Sequence, residues 1–151
     1  MLEHLAGWVV MVLSEKAIQN RIDISRNFAQ DLKSRLGPVL HEAFIFGSIA
    51  KGNATRYSDI DLLVVVDRPS PQLKRKLNKE FVPLKNHGFG VCNFENARLM
   101  HELRDVVENK FNVYLSCHVM YLDQFKTKKI AEDFGEPLQD LVEGRIINCL
   151  K

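Results

Sequence analysis

Phe46-Gly47-Ser48-Ile49-Ala50-Lys51-Gly52-Asn53-Ala54-Thr55-Arg56-Tyr57-Ser58-Asp59-Ile60-Asp61-Leu62-Leu63-Val64-Val65-Val66 is the stretch that decides the fold. Ile60 to Val66 is an apolar, β-branched run broken only by Asp61, the pattern of a strand covered on both faces. Ala43-Phe44-Ile45-Phe46 ends a second apolar run, Val39 to Phe46, which reads as a buried strand. Gly47 to Ser58 is rich in Gly, Ser, Asn and Thr, so it reads as a loop with at most one helical turn, near Ile49 to Gly52.

Asp59 and Asp61 stand two residues apart, so on a strand they point to one face. Their Cα atoms would lie about 6–7 Å apart at the usual rise of about 3.3 Å per residue. Both carboxylates then reach one metal ion, or bracket a pair of ions about 3.5–4 Å apart. Two acids at the mouth of a dry strand are costly to desolvate unless a cation compensates them. Mg²⁺ is the usual choice where phosphates complete the shell. Gly47 permits close backbone approach to a phosphate, and the Ser48 hydroxyl and adjacent N–H groups suit phosphate oxygens. Lys51 and Arg56 lie in the same loop and would neutralise a triphosphate. A Gly-Ser turn or an Asp-x-Asp alone says little. Together, at the ends of two buried runs, they describe one phosphate-and-metal pocket.

The run from Phe46 to Leu62, with ten residues between Gly47-Ser48 and Asp59-x-Asp61, resembles the signature of the DNA polymerase β-like nucleotidyltransferase superfamily. It looks most like the minimal nucleotidyltransferases of archaea and bacteria. The resemblance is close over residues 43–67, and beyond them it rests on the order of elements. It implies an α/β (α+β) fold, a small mixed sheet flanked by helices. It also implies Mg²⁺ or Mn²⁺ on Asp59 and Asp61, which would be the catalytic pair. Gly47, Ser48, Lys51 and Ser58 would bind the nucleotide, ATP or another nucleoside triphosphate. The implied reaction passes a nucleoside monophosphate to a hydroxyl of a protein or an RNA. Many minimal members pair with a small helical HEPN-type toxin, so the resemblance also implies such a partner and an antitoxin role.

Active members of the superfamily usually carry a third carboxylate on a later strand. The matching run, Val113 to Leu122, contains no acid, and Ser116 or His118 occupies the region. Asp123 lies just past it and Glu95 opens the preceding helix. Two readings therefore stand: an active transferase, or a nucleotide-binding or antitoxin module with little or no catalysis. His118 suits a general base, although a half-buried strand histidine bonded to a neighbour is the commoner case.

The remaining chain fits a single domain of 151 residues. A helix is expected over Ser14 to Leu36, stopped by Gly37-Pro38. A basic helix is expected over Gln72 to Leu84 and a further one over Phe94 to Phe111, with a final helix from Phe125 to Lys151 interrupted near Gly135 and Pro137. The corresponding division is an N-terminal helical segment (1–36), a nucleotidyltransferase core (37–125) and a C-terminal helical extension (126–151). Net charge is +2, which does not call for a nucleic-acid acceptor or an anionic membrane. The apolar run Leu5 to Leu13 is too short to span a bilayer and suits a packing or partner-facing strip, unless the natural start is Met11. Three widely spaced cysteines, Cys92, Cys117 and Cys149, suit reduced thiols in a cytoplasmic protein. A homo-oligomer is compatible with all of this.

Overall fold

Ile60–Val66 forms the central strand, and the other elements take their places from it. The computed structural model describes residues 2–5, 8–67, 94–127 and 145–151. Along these residues the chain runs β1 (Leu2–Leu5), β2 (Trp8–Met11), α1 (Glu15–Leu36), a 3-10 turn (Gly37–Val39), β3 (Leu40–Phe46) and α2 (Gly47–Lys51). It continues as β4 (Ile60–Val66), α3 (Phe94–Phe111), β5 (Leu115–Tyr121), α4 (Leu122–Thr127) and β6 (Ile147–Asn148). The main sheet is ordered β5-β4-β3-β6, with β4 and β5 parallel and β3 antiparallel to both β4 and β6. This is the mixed sheet with flanking helices that the sequence predicts.

The alternation along β4 sorts its side chains onto two covered faces. Ile60, Leu62, Val64 and Val66 join the cluster built on Ile22, Ile24, Phe28, Ala29 and Leu32 of α1. Leu63 packs with Phe44, Phe46 and Met120 on the opposite face, which Phe125 and Ile146 help to cover. A large side chain fully buried in this way contributes about 1.5–3 kcal/mol. The helix that supplies the first face is capped as its sequence suggests. Ser14 accepts from the Ala17 N–H at 3.1 Å, and Gly37 ends the helix at φ +62°. Lys33 then donates to the Leu40 carbonyl at 2.6 Å, fixing where β3 begins.

Two expectations are corrected. The N-terminal segment is helical only from Glu15, because Leu2–Leu5 and Trp8–Met11 pair as an antiparallel hairpin. The final helix expected over Phe125 to Lys151, with its interruption near Gly135 and Pro137, lies mostly outside the described residues, and at its end Ile147–Asn148 is a strand against Phe44 and Ile45 instead of helix. A strand of two residues is too brief to register as a period in sequence. The expected basic helix over Gln72–Leu84 and Cys92 lie outside the described residues. None of the described helices is long and apolar enough to cross a membrane.

Cys149 is buried beside β3, its N–H bonded to the Ala43 carbonyl at 2.8 Å. Burial pushes its thiol up to about 11, against the opposing effects of Arg26 and a hydrogen bond with the Ile45 backbone. The folded chain therefore keeps this proton through a range, from about pH 9 to 11, where the unfolded chain releases it. Stability should fall as pH rises through that range. Urea unfolding on either side of it is the measurement, and Cys149→Ala should show the smaller drop. An equal drop in both proteins would exclude the thiol as its source.

Candidate functional site

The turn from β3 into α2 brings backbone against a carboxylate. Phe46 is in register with Asp61 across the β3–β4 ladder, so Gly47 leaves the sheet beside that side chain. Gly47 adopts φ +71°, and a Cβ built on it would overlap Asp61 Oδ2 and lie 3.3 Å from Asp61 Cγ. Only glycine fits both the conformation and the space. Ser48 and Ile49 follow in the first turn of α2, whose N–H groups have no intrahelical acceptor. Gly52, at φ +76°, ends that turn.

Asp61 is half-buried and Asp59, one residue before the strand, is exposed. Asp61 shares the parity of Leu63, so it belongs to the same sheet face as Phe44 and Phe46, whereas Asp59 precedes the strand and takes no part in the ladder. The loop before them is held from both sides. Thr55 and Ser58 close a turn: Ser58 N–H donates to the Thr55 carbonyl at 3.0 Å, and Thr55 N–H donates to Ser58 Oγ at 2.9 Å. Ser58, expected to touch the nucleotide, thus has its hydroxyl engaged in shaping the loop. Val12 bridges Thr55, and Leu13 N–H donates to the Ala54 carbonyl at 2.8 Å, so the end of the N-terminal hairpin pins the loop from outside. Arg56 is not drawn toward the aspartates. Its guanidinium lies 4.7 Å from the Tyr57 ring centroid and bonds the Tyr57 hydroxyl. Lys51 closes α2 and is half-buried.

On the other side of β4, parallel pairing sets Asp61 in register with Ser116 and Leu63 with His118. Ile60 N–H donates to the Tyr114 carbonyl at 2.8 Å and Leu115 N–H to Glu108 Oε2 at 2.9 Å, which fixes the register at the site end. Ser116, His118 and Met120 face the same side as Asp61, since Leu115, Cys117, Val119 and Tyr121 all enter the α1 cluster. Ser116 Oγ and His118 Nε2 are 3.3 Å apart. The His118 ring lies 5.3 Å from the Phe46 ring, centroid to centroid. Phe46 and His118 stand on the two strands that flank β4, about 9–10 Å apart at ordinary strand spacing. Both rings therefore lean over β4 at the level of Asp61 and Leu63. Phe46 had no distinguishing mark in the sequence, where it reads as one more apolar strand residue. No carboxylate comes from β5, and Asp123 is exposed in the first turn of α4.

The sequence profile of the nucleotidyltransferase domain matches residues 25–136, most of the chain. The chain belongs to the nucleotidyltransferase domain family. A Methanocaldococcus jannaschii protein, provisionally named a protein adenylyltransferase, is 42% identical over 53 residues. That match spans about a third of each protein, 35% of this chain and 34% of the relative. A crystal structure of a Sulfolobus solfataricus protein, provisionally titled a nucleotidyltransferase, is similar at a TM-score of 0.43 and 19% identity, over 74% of this chain and 77% of that one. A nucleotidyltransferase takes a nucleoside triphosphate as substrate, and the matched region contains the whole stretch from Gly47 to Asp61.

Gly47→Ala tests the apposition of the turn and Asp61. The substitution should lower the melting temperature, because a non-glycine residue in this backbone region costs about 1–3 kcal/mol before the overlap with Asp61 is counted. An unchanged melting temperature would show that the turn relaxes freely away from the carboxylate.

Proposed function

We propose that this nucleotidyltransferase domain is metal-dependent and transfers AMP from ATP to a hydroxyl, with a protein side chain or an RNA end as acceptor. The observation that supports the reading is the packing of Gly47 against Asp61, a turn of a type that suits phosphate beside a carboxylate, with Asp59 two residues before Asp61 in the chain. The proposed metal ligands are hard oxygen, the two carboxylates of Asp59 and Asp61. That chemistry suits Mg²⁺ or Mn²⁺ and suits a soft metal poorly. Among the described residues no group of three His, Cys, Asp or Glu side chains forms a ready-made cage, so triphosphate oxygens are the natural source of the missing ligands.

Asp59 and Asp61 would hold the cation, which when bound would offset the charge of the triphosphate and of the departing pyrophosphate. Gly47 lets the backbone close on the phosphates, and Ser48 offers its hydroxyl and N–H. Lys51 adds positive charge within the same turn. The β3–β4 ladder holds Asp61 in register with Phe46, the residue before Gly47, and such positioning before substrate arrives is where most of the advantage in phosphoryl-type transfer lies.

A protein hydroxyl as acceptor is supported by the name of the M. jannaschii relative, and a HEPN-type helical protein is the partner suggested by the family likeness. A second reading is favoured by one observation. The site face of β5 carries Ser116 and His118 and no acid, which fits a binding or antitoxin module that holds nucleotide without rapid transfer.

Isothermal titration with Mg-ATP and transfer of label from α-labelled ATP together test both readings. Asp59→Ala should leave stability within about 0.5 kcal/mol, since Asp59 is exposed. The same change should reduce transfer about 10²–10³-fold. Binding without transfer to any acceptor would favour the module, and transfer unaffected in Asp59→Ala/Asp61→Ala would sink the metal-site assignment.

A further inference from the structure

The residues around Asp61 are disposed in a row across the sheet: Phe46 leading into Gly47 and Ser48 on one side, Ser116 on the other. In the reading proposed above, on which this inference rests, the Gly47–Ser48 side holds the phosphates that leave. Displacement at phosphorus proceeds with attacking and leaving oxygens roughly in line. The attacking hydroxyl must therefore arrive from the β5 side of Asp61, and the chain already has a hydroxyl there. Ser116 Oγ is half-buried, on the site face and in register with Asp61.

That hydroxyl is arranged as a nucleophile. His118 Nε2 lies 3.3 Å from Ser116 Oγ, within the looser range expected before substrate is bound. The imidazole is in turn placed by its contact with the Phe46 ring, which brings it over β4 rather than outward from the edge of the sheet. Nucleophile and base are thus gathered on one face, with the imidazole in ring contact with Phe46. No carboxylate of β5 occupies the place where an external hydroxyl would be received.

We propose that Ser116 is itself an acceptor, and that the chain adenylylates its own Ser116 Oγ. Ser116 Oγ attacks the α-phosphorus of ATP and an Oγ–P bond forms. The bond from the α-phosphorus to the oxygen bridging to the β-phosphate breaks, and its electron pair leaves with pyrophosphate. The hydroxyl proton passes to His118 Nε2, with the Nδ1–H tautomer as the starting form. The product is AMP in phosphodiester linkage to Ser116, seated beside Asp61. A site carrying it is blocked to a second nucleotide until the adduct passes to another hydroxyl.

The experiment uses the full chain incubated with α-labelled ATP and Mg²⁺ or Mn²⁺, followed by intact mass and peptide sequencing. Binding is followed separately as the Mg-ATP-dependent rise in melting temperature. The expected result is one AMP on Ser116. Ser116→Ala should carry none, yet should still be stabilised by Mg-ATP. His118→Gln should bind equally but label about 10²–10⁴-fold more slowly, the usual contribution of a positioned base. Stabilisation by Mg-ATP with no adduct, or with an adduct only at another residue, overturns the proposal and leaves the nucleotide site standing. Neither stabilisation nor adduct overturns the nucleotide site as well.

Discussion

The pairing of Phe46 with Asp61 is the constraint on which the rest of the site depends. It determines that the chain leaves β3 beside the carboxylate, and it leaves no room for any side chain at the first residue of the turn. Shift the ladder by one residue and every β4 side chain changes face, so Asp61 would enter the α1 core while Leu62 left it. The hydrophobic sorting of Ile60, Leu62, Val64 and Val66 against α1 therefore holds the polar end in place. Core packing and site geometry are two results of one register.

The β4–β5 pairing extends the same logic sideways. The parallel neighbour sets Ser116 beside Asp61, as the antiparallel neighbour sets Phe46 beside it on the other side. Glu108 from α3 holds the first N–H of β5, and Tyr114 receives the first N–H of β4. Both bonds lie at the end of the sheet where the aspartates sit. The opposite end has its own tie, His41 Nε2 to Asp67 Oδ1 at 2.6 Å. The central ladder is thereby fastened at both ends.

Much of this was legible in the sequence because the decisive signals are local. A β-branched and apolar run interrupted only by Asp61 gives β4 to the residue, and Ser14 and Gly37 bracket α1. Gly47 beside Asp61 was readable as a motif, but the reason glycine is needed there is a distance across the ladder and no single-strand pattern encodes it. The N-terminal hairpin was missed because its apolar run satisfies many packing arrangements. Strand β6 was missed because two residues carry too little periodicity to oppose the helical expectation around them. The hold of Val12 on Thr55 and the meeting of Phe46 with His118 are tertiary facts, made by parts far apart in the chain.

The two pairings that flank Asp61 differ in what they cost to form. β3 and β4 are joined by residues 47–59, whereas β4 and β5 are joined by residues 67–114. Closing the longer connection loses more chain entropy, and its parallel pairing is slightly weaker per residue. The Gly47 side of the pocket is thus the cheaper contact to make and the Ser116 side the dearer one. A nascent chain that has emerged only as far as β4 already contains both aspartates and the turn, and it lacks the hydroxyl that faces them. Synthesis from the N-terminus delivers the Gly47–Asp61 half of the candidate site first and its Ser116 half afterwards.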